Sequence, residues 1–164
     1  MLDKLRGPKR TAVSLQTTRL TDTHTHIVDA AFDADRQAVL ARADAAGIGA
    51  VIAVGEDLAD AEKNLVLARA YPMLKPAAGL YPTHLDRAAA ASLAGFIRSH
   101  RGALAGIGEV GLDFWVVKTG EERAIQKEIF AGFIDLALEL DLPLNVHSRS
   151  AGRHAVDLLL SRGA

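Results

Sequence analysis

His24 and His26 stand one residue apart in Asp22–His26 (DTHTH). On extended chain, alternate residues project to the same side, so the two imidazoles form a pincer for one metal ion. Asp22 shares their phase and is placed to orient a ligand from behind. A lone His-x-His serves equally well as a pair of ordinary turn histidines, so this motif alone does not choose. Glu109 lies in Gly106–Asp113 (GIGEVGLD), a carboxylate among glycines with little side-chain competition around it. Glycine lets other groups approach the backbone closely. The two oxygens of a glutamate there suffice to bridge two cations, whereas a plain loop glutamate would face solvent. Asp113 reads as a supporting carboxylate, as a base, or as a turn cap. His147 lies in Asn145–Ser150 (NVHSRS) beside Arg149, whose planar fork suits phosphate oxygens.

The surrounding pattern says what positions these groups. Short strands are predicted over Arg19–Thr23, Ala50–Val54, Lys75–Gly79, Ala103–Gly108 and Leu144–His147. Helices are predicted over Ala34–Ala46, Leu58–Ala70, Ala88–His100, Glu121–Leu140 and Ala151–Ser161. Apolar residues recur at helical spacing in these segments; in the longest, Ile125, Ile129, Phe133, Ala137 and Leu140 mark the stripe. Gly47 sits where a helix end favours glycine, and Asp57 and Ser150 read as helix caps. Pro76 weakens the third strand unless it lies at the strand start. Alternating strands and helices imply a parallel sheet covered by helices. The chain lacks a Gly-rich dinucleotide turn after its first strand, which favours a β/α barrel over a doubly wound sheet. Glu109 then ends the fourth strand and His147 the fifth, while His24 and His26 follow the first. Three strand ends thus carry metal-competent groups on the face where barrels place their chemistry.

Bulk properties fit this reading. The chain has 164 residues, 49% hydrophobic and 24% charged, as expected of a globular domain with one sizeable core. A net charge of −1 gives no general basic surface for nucleic acid, though a localised site needs none. The absence of cysteine excludes disulfides, a thiol nucleophile and thiolate metal ligands. Residues 1–18 are basic without the apolar block of a signal peptide. They read as a flexible, solvated extension, and no stretch is long and apolar enough to span a bilayer. A cytoplasmic location is the default. A complete barrel takes about 250 residues. Five units over 19–164 therefore read as the N-terminal part of one, with exposed edges open to self-association.

The sequence resembles the TatD family of metal-dependent hydrolases, within the amidohydrolase-like superfamily. The segments that carry the likeness are Asp22–His26, Ala77–His84 (AAGLYPTH), Gly106–Phe114 (GIGEVGLDF) and Gln126–Ala151 (QKEIFAGFIDLALELDLPLNVHSRSA). The resemblance implies a TIM-like β/α barrel and a site for two divalent metals, Mg²⁺, Mn²⁺ or Zn²⁺. It implies His24 and His26 as ligands of one metal, Glu109 as the catalytic bridging carboxylate, and His147 as a ligand of the other. The implied activity is hydrolysis of DNA phosphodiesters in the 3′-to-5′ direction through metal-activated water. A superfamily member cleaving amides or esters is the alternative; such enzymes commonly bridge their metals with a carbamylated lysine, and no lysine lies near Glu109.

Three departures from the family pattern stand out. Tyr81 and Thr83 replace the usual histidines after the third strand, with His84 displaced by one, so Tyr81 and His84 are candidate substrate-side residues. Phe114 and Trp115 follow the Asp113 motif, where an aromatic ring either stacks on a base or packs beneath the site loop. The later histidine and aspartate that complete the family's metal shells have no counterpart; His154 falls on the fifth helix. The chain alone is therefore expected to bind metal weakly and hydrolyse little, as an inactive or partner-dependent half-barrel.

Overall fold

A computed structural model describes residues 19–164; the predicted extension over 1–18 lies outside the described residues. The elements run β1 (Leu20–Thr25), α1 (Arg36–Ala45), β2 (Ile48–Ala53), α2 (Leu58–Ala70), β3 (Leu74–Ala78), α3 (Arg87–Ser99), β4 (Gly106–Asp113), α4 (Gly120–Leu140), β5 (Leu144–Arg149) and α5 (Gly152–Arg162). All strands pair in parallel, in the order β1-β2-β3-β4-β5. Sequential order without reversal is barrel topology, since a doubly wound sheet has a switch point where the order turns back. The predicted fold class holds: these are five consecutive units of a TIM-like barrel wall.

Local chemistry sets the helix ends. The Asp57 side chain accepts from Asp60 N and starts α2, as expected. Asp86 accepts from Ala88 N and Ala89 N at the start of α3. Thr119 and Glu122 form a reciprocal capping box at α4. Gly47 follows α1 with φ 93°, a conformation that favours glycine.

The core centres on β4, all of whose residues are buried. Ile107, Val110 and Leu112 pack with Phe130, Phe133, Ile134 and Leu136 of α4, and with Leu93 and Ile97 of α3. A smaller cluster, Ile27, Leu40, Val51, Ala53 and Leu74, lies toward β1 and β2. β1 itself is mostly exposed.

Five expectations need correction. β4 starts three residues later than predicted and ends five later, because Arg101–Ala103 forms a 3₁₀ turn and the GIGEVGLD segment is strand throughout. Glu109 is therefore inside β4 rather than at its end, and β5 likewise continues past His147 to Arg149. The buried stripe of α4 is rotated: Gln126, Phe130, Phe133, Ile134 and Ala137 face inward, and Ile125, Ile129 and Leu140 flank them. The polar Gln126 belongs to that stripe because both ends of its amide have partners, donating to Pro82 O at 2.7 Å and accepting from Asp113 N at 3.2 Å. Ser150 does not cap α5: it has φ 55°, and Ala151 occupies the cap position. Finally, Pro76 lies within β3, opposite Ala53, not at the strand start. Among the described residues no helix is long and apolar enough to cross a membrane.

Candidate metal centre

β1, β4 and β5 bring their polar residues together at one end of the sheet. In β1 the pairing register breaks between Asp22 and Thr25, and in β4 between Ile107 and Val110. Such irregularities re-aim side chains, and these two fall where His24 and Glu109 lie. Gly111 makes room on the neighbouring strand. It has φ 149°, and a Cβ there would sit 2.0 Å from His147 O, so only glycine lets β4 and β5 approach this closely.

His24 and His26 do project together, with their Nε2 atoms 3.3 Å apart. Glu109 Oε2 lies 3.1 Å from His26 Nε2 and 3.7 Å from His24 Nε2. The three ligand atoms all fall within 4.8 Å of one another. Glu109 is buried, yet Oε2 has no hydrogen-bond partner. The close His26 nitrogen is within range by distance but not aligned for a hydrogen bond. A buried carboxylate oxygen left unpartnered costs free energy, and this one faces the space shared by two imidazole nitrogens. A hard or borderline divalent cation fits that donor set.

The tautomer of His24 is fixed from behind by a residue that the sequence did not single out. Asn145 Nδ2 donates to Thr23 O at 2.6 Å, which orients the amide so that Oδ1 meets His24 Nδ1 at 2.7 Å. Nδ1 must then carry the proton, and Nε2 presents its lone pair to the cluster. Alternation along β5 was the available signal, since Asn145 shares the phase of His147. Glu56, 3.8 Å from His26 Nδ1, was also missed.

His147 sits on the other side of the Glu109 carboxylate. Its Nδ1 is 2.6 Å from Glu109 Oε1 and its Nε2 is 3.2 Å from Asp113 Oδ2. Glu109 thus stands between the His24–His26 pair and His147. Among the described residues the three-ligand group that converges is His24, His26 and Glu109, and His147 adjoins it through the other Glu109 oxygen. Asp113 makes contacts with both of its carboxylate oxygens. Its Oδ1 caps a turn, accepting from Trp115 N and Val116 N at 2.8 Å each, while Oδ2 faces His147.

Asp22 does not reach an imidazole. Its carboxylate accepts from His24 N at 3.1 Å and from Thr25 Oγ1 at 2.7 Å, so it shapes the strand end and not the ligand ring. Tyr81 lies edge-on to His147, with ring centroids 5.3 Å apart, and His84 lies behind Tyr81 at 6.1 Å. Desolvation by burial pushes the Tyr81 phenol above its ordinary pKa, and the carboxylates of Glu109, Asp113 and Glu56 push the same way against Arg149. Arg149 leans over the Trp115 ring, 5.3 Å from its centroid. His154 is on α5 against Phe114, 5.1 Å between ring centroids, as placed from the sequence.

The sequence model of the TatD-related DNase family matches residues 21–164. Deoxyribonuclease TATDN3 of Homo sapiens is 38% identical over 160 residues, covering 88% of this chain and 57% of its own length. The 3′-5′ ssDNA/RNA exonuclease TatD of Salmonella typhimurium is 31% identical over 142 residues, covering 84% and 53%. The crystal structure of the TatD homologue YJJV from Escherichia coli K12 superimposes with a TM-score of 0.79 at 28% identity, over 89% of this chain and 57% of that one. The chain thus spans little more than half the length of the relatives it matches. It belongs to the TatD family.

Proposed function

We propose that this chain is the metal-binding part of a phosphodiesterase that removes nucleotides from the 3′ end of DNA. One observation carries the reading: the buried Glu109 carboxylate, its Oε2 unpartnered toward His24 and His26 and its Oε1 against His147. In this reading His24, His26 and Glu109 hold one divalent cation, and Glu109 with His147 contributes to a second. Bound there, Mg²⁺, Mn²⁺ or Zn²⁺ would lower the pKa of a water and offset phosphate charge. Asn145 orients His24, and Asp113 orients His147. The Tyr81 hydroxyl, a phenol that is protonated at neutral pH, is a donor for a phosphate oxygen. The names of the human and Salmonella relatives, a deoxyribonuclease and a 3′-5′ exonuclease, support this substrate class. The cytoplasmic location read from the sequence belongs to the same proposal.

Calorimetric titration of the chain with Mn²⁺ tests it, beside release of nucleotides from 3′-labelled single-stranded DNA. Loss of a supporting residue around a metal typically weakens binding about 10- to 100-fold, so Glu109→Gln should cost at least that. Hydrolysis by the 164-residue chain alone should be slow or absent. Metal affinity unchanged by Glu109→Gln would reject the site.

A further inference from the structure

Phe114 and Trp115 follow Asp113 directly but meet opposite fates. Phe114 is buried in the core, with the Arg123 guanidinium 4.3 Å and Lys127 Nζ 5.8 Å from its ring centroid. Trp115 is 58% exposed, an unusual state for the largest apolar side chain. Its backbone is nonetheless held firmly. Asp113 Oδ1 takes the Trp115 and Val116 N–H groups, Val117 N donates to Asp113 O at 3.0 Å, and the Val117 side chain is buried. Phe114 N donates to Arg149 O at 2.9 Å, joining this turn to the end of β5. The indole is therefore presented from a rigid mount whose capping carboxylate also faces His147.

Two cations attend the ring. Lys118 Nζ lies 5.1 Å and the Arg149 guanidinium 5.3 Å from its centroid. Exposed contacts of this length are weak and easily exchanged, so they do not account for leaving the indole in water. A fixed aromatic face flanked by exposed cations is the combination by which proteins hold single strands: a base stacks on the ring while the cations take phosphates. Arg149 is two residues beyond His147 in the same strand phase, which puts that phosphate contact beside the metal cluster.

We infer that Trp115 is a stacking platform for a base of single-stranded nucleic acid, with Arg149 and Lys118 engaging the adjoining phosphates. This rests on the phosphodiesterase reading and names the substrate form that reaches the site. Duplex, whose bases are already stacked, does not offer a free face to the indole.

Trp115 is the chain's 1 tryptophan, so its fluorescence reports the platform directly. The 164-residue chain is titrated in EDTA, where metal-dependent hydrolysis cannot occur, with a single-stranded oligodeoxyadenylate of about ten nucleotides. Saturable quenching is expected, far weaker with duplex of the same length and absent with inorganic phosphate. Fluorescence anisotropy of a labelled oligonucleotide then compares variants of confirmed thermal stability. Trp115→Ala should weaken binding roughly 10- to 100-fold, and Trp115→Phe should retain most of it. Arg149→Ala should lower the salt slope of binding by about 0.7. No oligonucleotide binding, binding without quenching, or equal affinity for Trp115→Ala and the parent chain would each overturn the platform. Quenching with a metal affinity indifferent to Glu109→Gln would keep the platform and reject the hydrolase. Metal-dependent hydrolysis without quenching would do the reverse.

Discussion

The Asn145 amide commits both of its ends to β1, one to the Thr23 carbonyl and one to the His24 ring. Its oxygen decides which nitrogen of His24 carries the proton, and so which one is free for a cation. Asn145→Ala removes that decision and leaves Thr23 O without its donor. Metal affinity should fall about 10- to 100-fold, and the ¹⁵N shifts of His24 in the metal-free protein should move toward a mixture of tautomers. Asn145→Asp keeps the acceptor and loses the donor, so it should recover part of the affinity. An unchanged His24 spectrum in Asn145→Ala would show that the tautomer is set elsewhere. His24, His26, Glu109 and His147 could be singled out in the sequence because each is a metal-competent residue type in or beside a predicted strand. Asn145 was not: a polar residue early in a strand looks like any solvent-facing position, and only the fold reveals that it points across to β1. Asp22 misled for the converse reason, since strand phase says which side a carboxylate takes and not whether the backbone claims it first.

At the scale of elements the helices were the easier reading. The predicted span of α2 matches the observed one, and α3 and α4 agree to within a residue or so, because capping residues and apolar spacing both mark them. β4 was misplaced because its glycines carry no side-chain pattern and both faces are buried, which erases the alternation that betrays a strand. Those same glycines admit the neighbours. Gly111→Ala would force a Cβ onto the His147 carbonyl at a backbone angle that alanine rarely adopts. The cost should be on the order of 3 kcal/mol or more, read as a lowered melting temperature, with metal affinity lost alongside; a melting temperature equal to the parent's would refute the close approach. The helix layer supplies a pH-dependent contribution. Arg87 pairs with Glu128 and Arg98 with Glu139, tying α3 to α4 at 2.7 Å each. Hydrogen bonds from the arginines hold both glutamates below the ordinary carboxylate pKa. A lowered folded-state pKa means stability that is present above the unfolded value and lost as pH falls through the folded one. The double variant Glu128→Gln, Glu139→Gln should therefore show a shallower loss of stability on acidification than the parent. Both pairs are fully exposed, so the difference at neutral pH should be small.

At the scale of the whole molecule, the wall of five strands has two ends. Among the described residues β1 pairs only with β2, and β5 only with β4. A strand edge with unpaired N–H and C=O groups is a template for another chain. Apolar side chains accompany these edges: Leu20 on β1 is 62% exposed, and Val156 and Leu160 on α5 are 52% and 70% exposed. In a closed barrel such surfaces meet further strands and helices, and the relatives that match this chain are longer by nearly half their own length. The isolated 164-residue chain should accordingly self-associate, with a mass by light scattering of at least twice the 17.4 kDa protomer. Val156→Lys with Leu160→Glu should shift it toward the monomer without altering the metal cluster, which is built from β1, β4 and β5 and not from α5. If self-association also completes the ligand shells, metal affinity should rise with protein concentration and fall in that double variant. If affinity is the same at all concentrations, the three ligands His24, His26 and Glu109 act within one protomer. A monomer that unfolds cooperatively at every concentration would mean that the edges are covered within the chain itself.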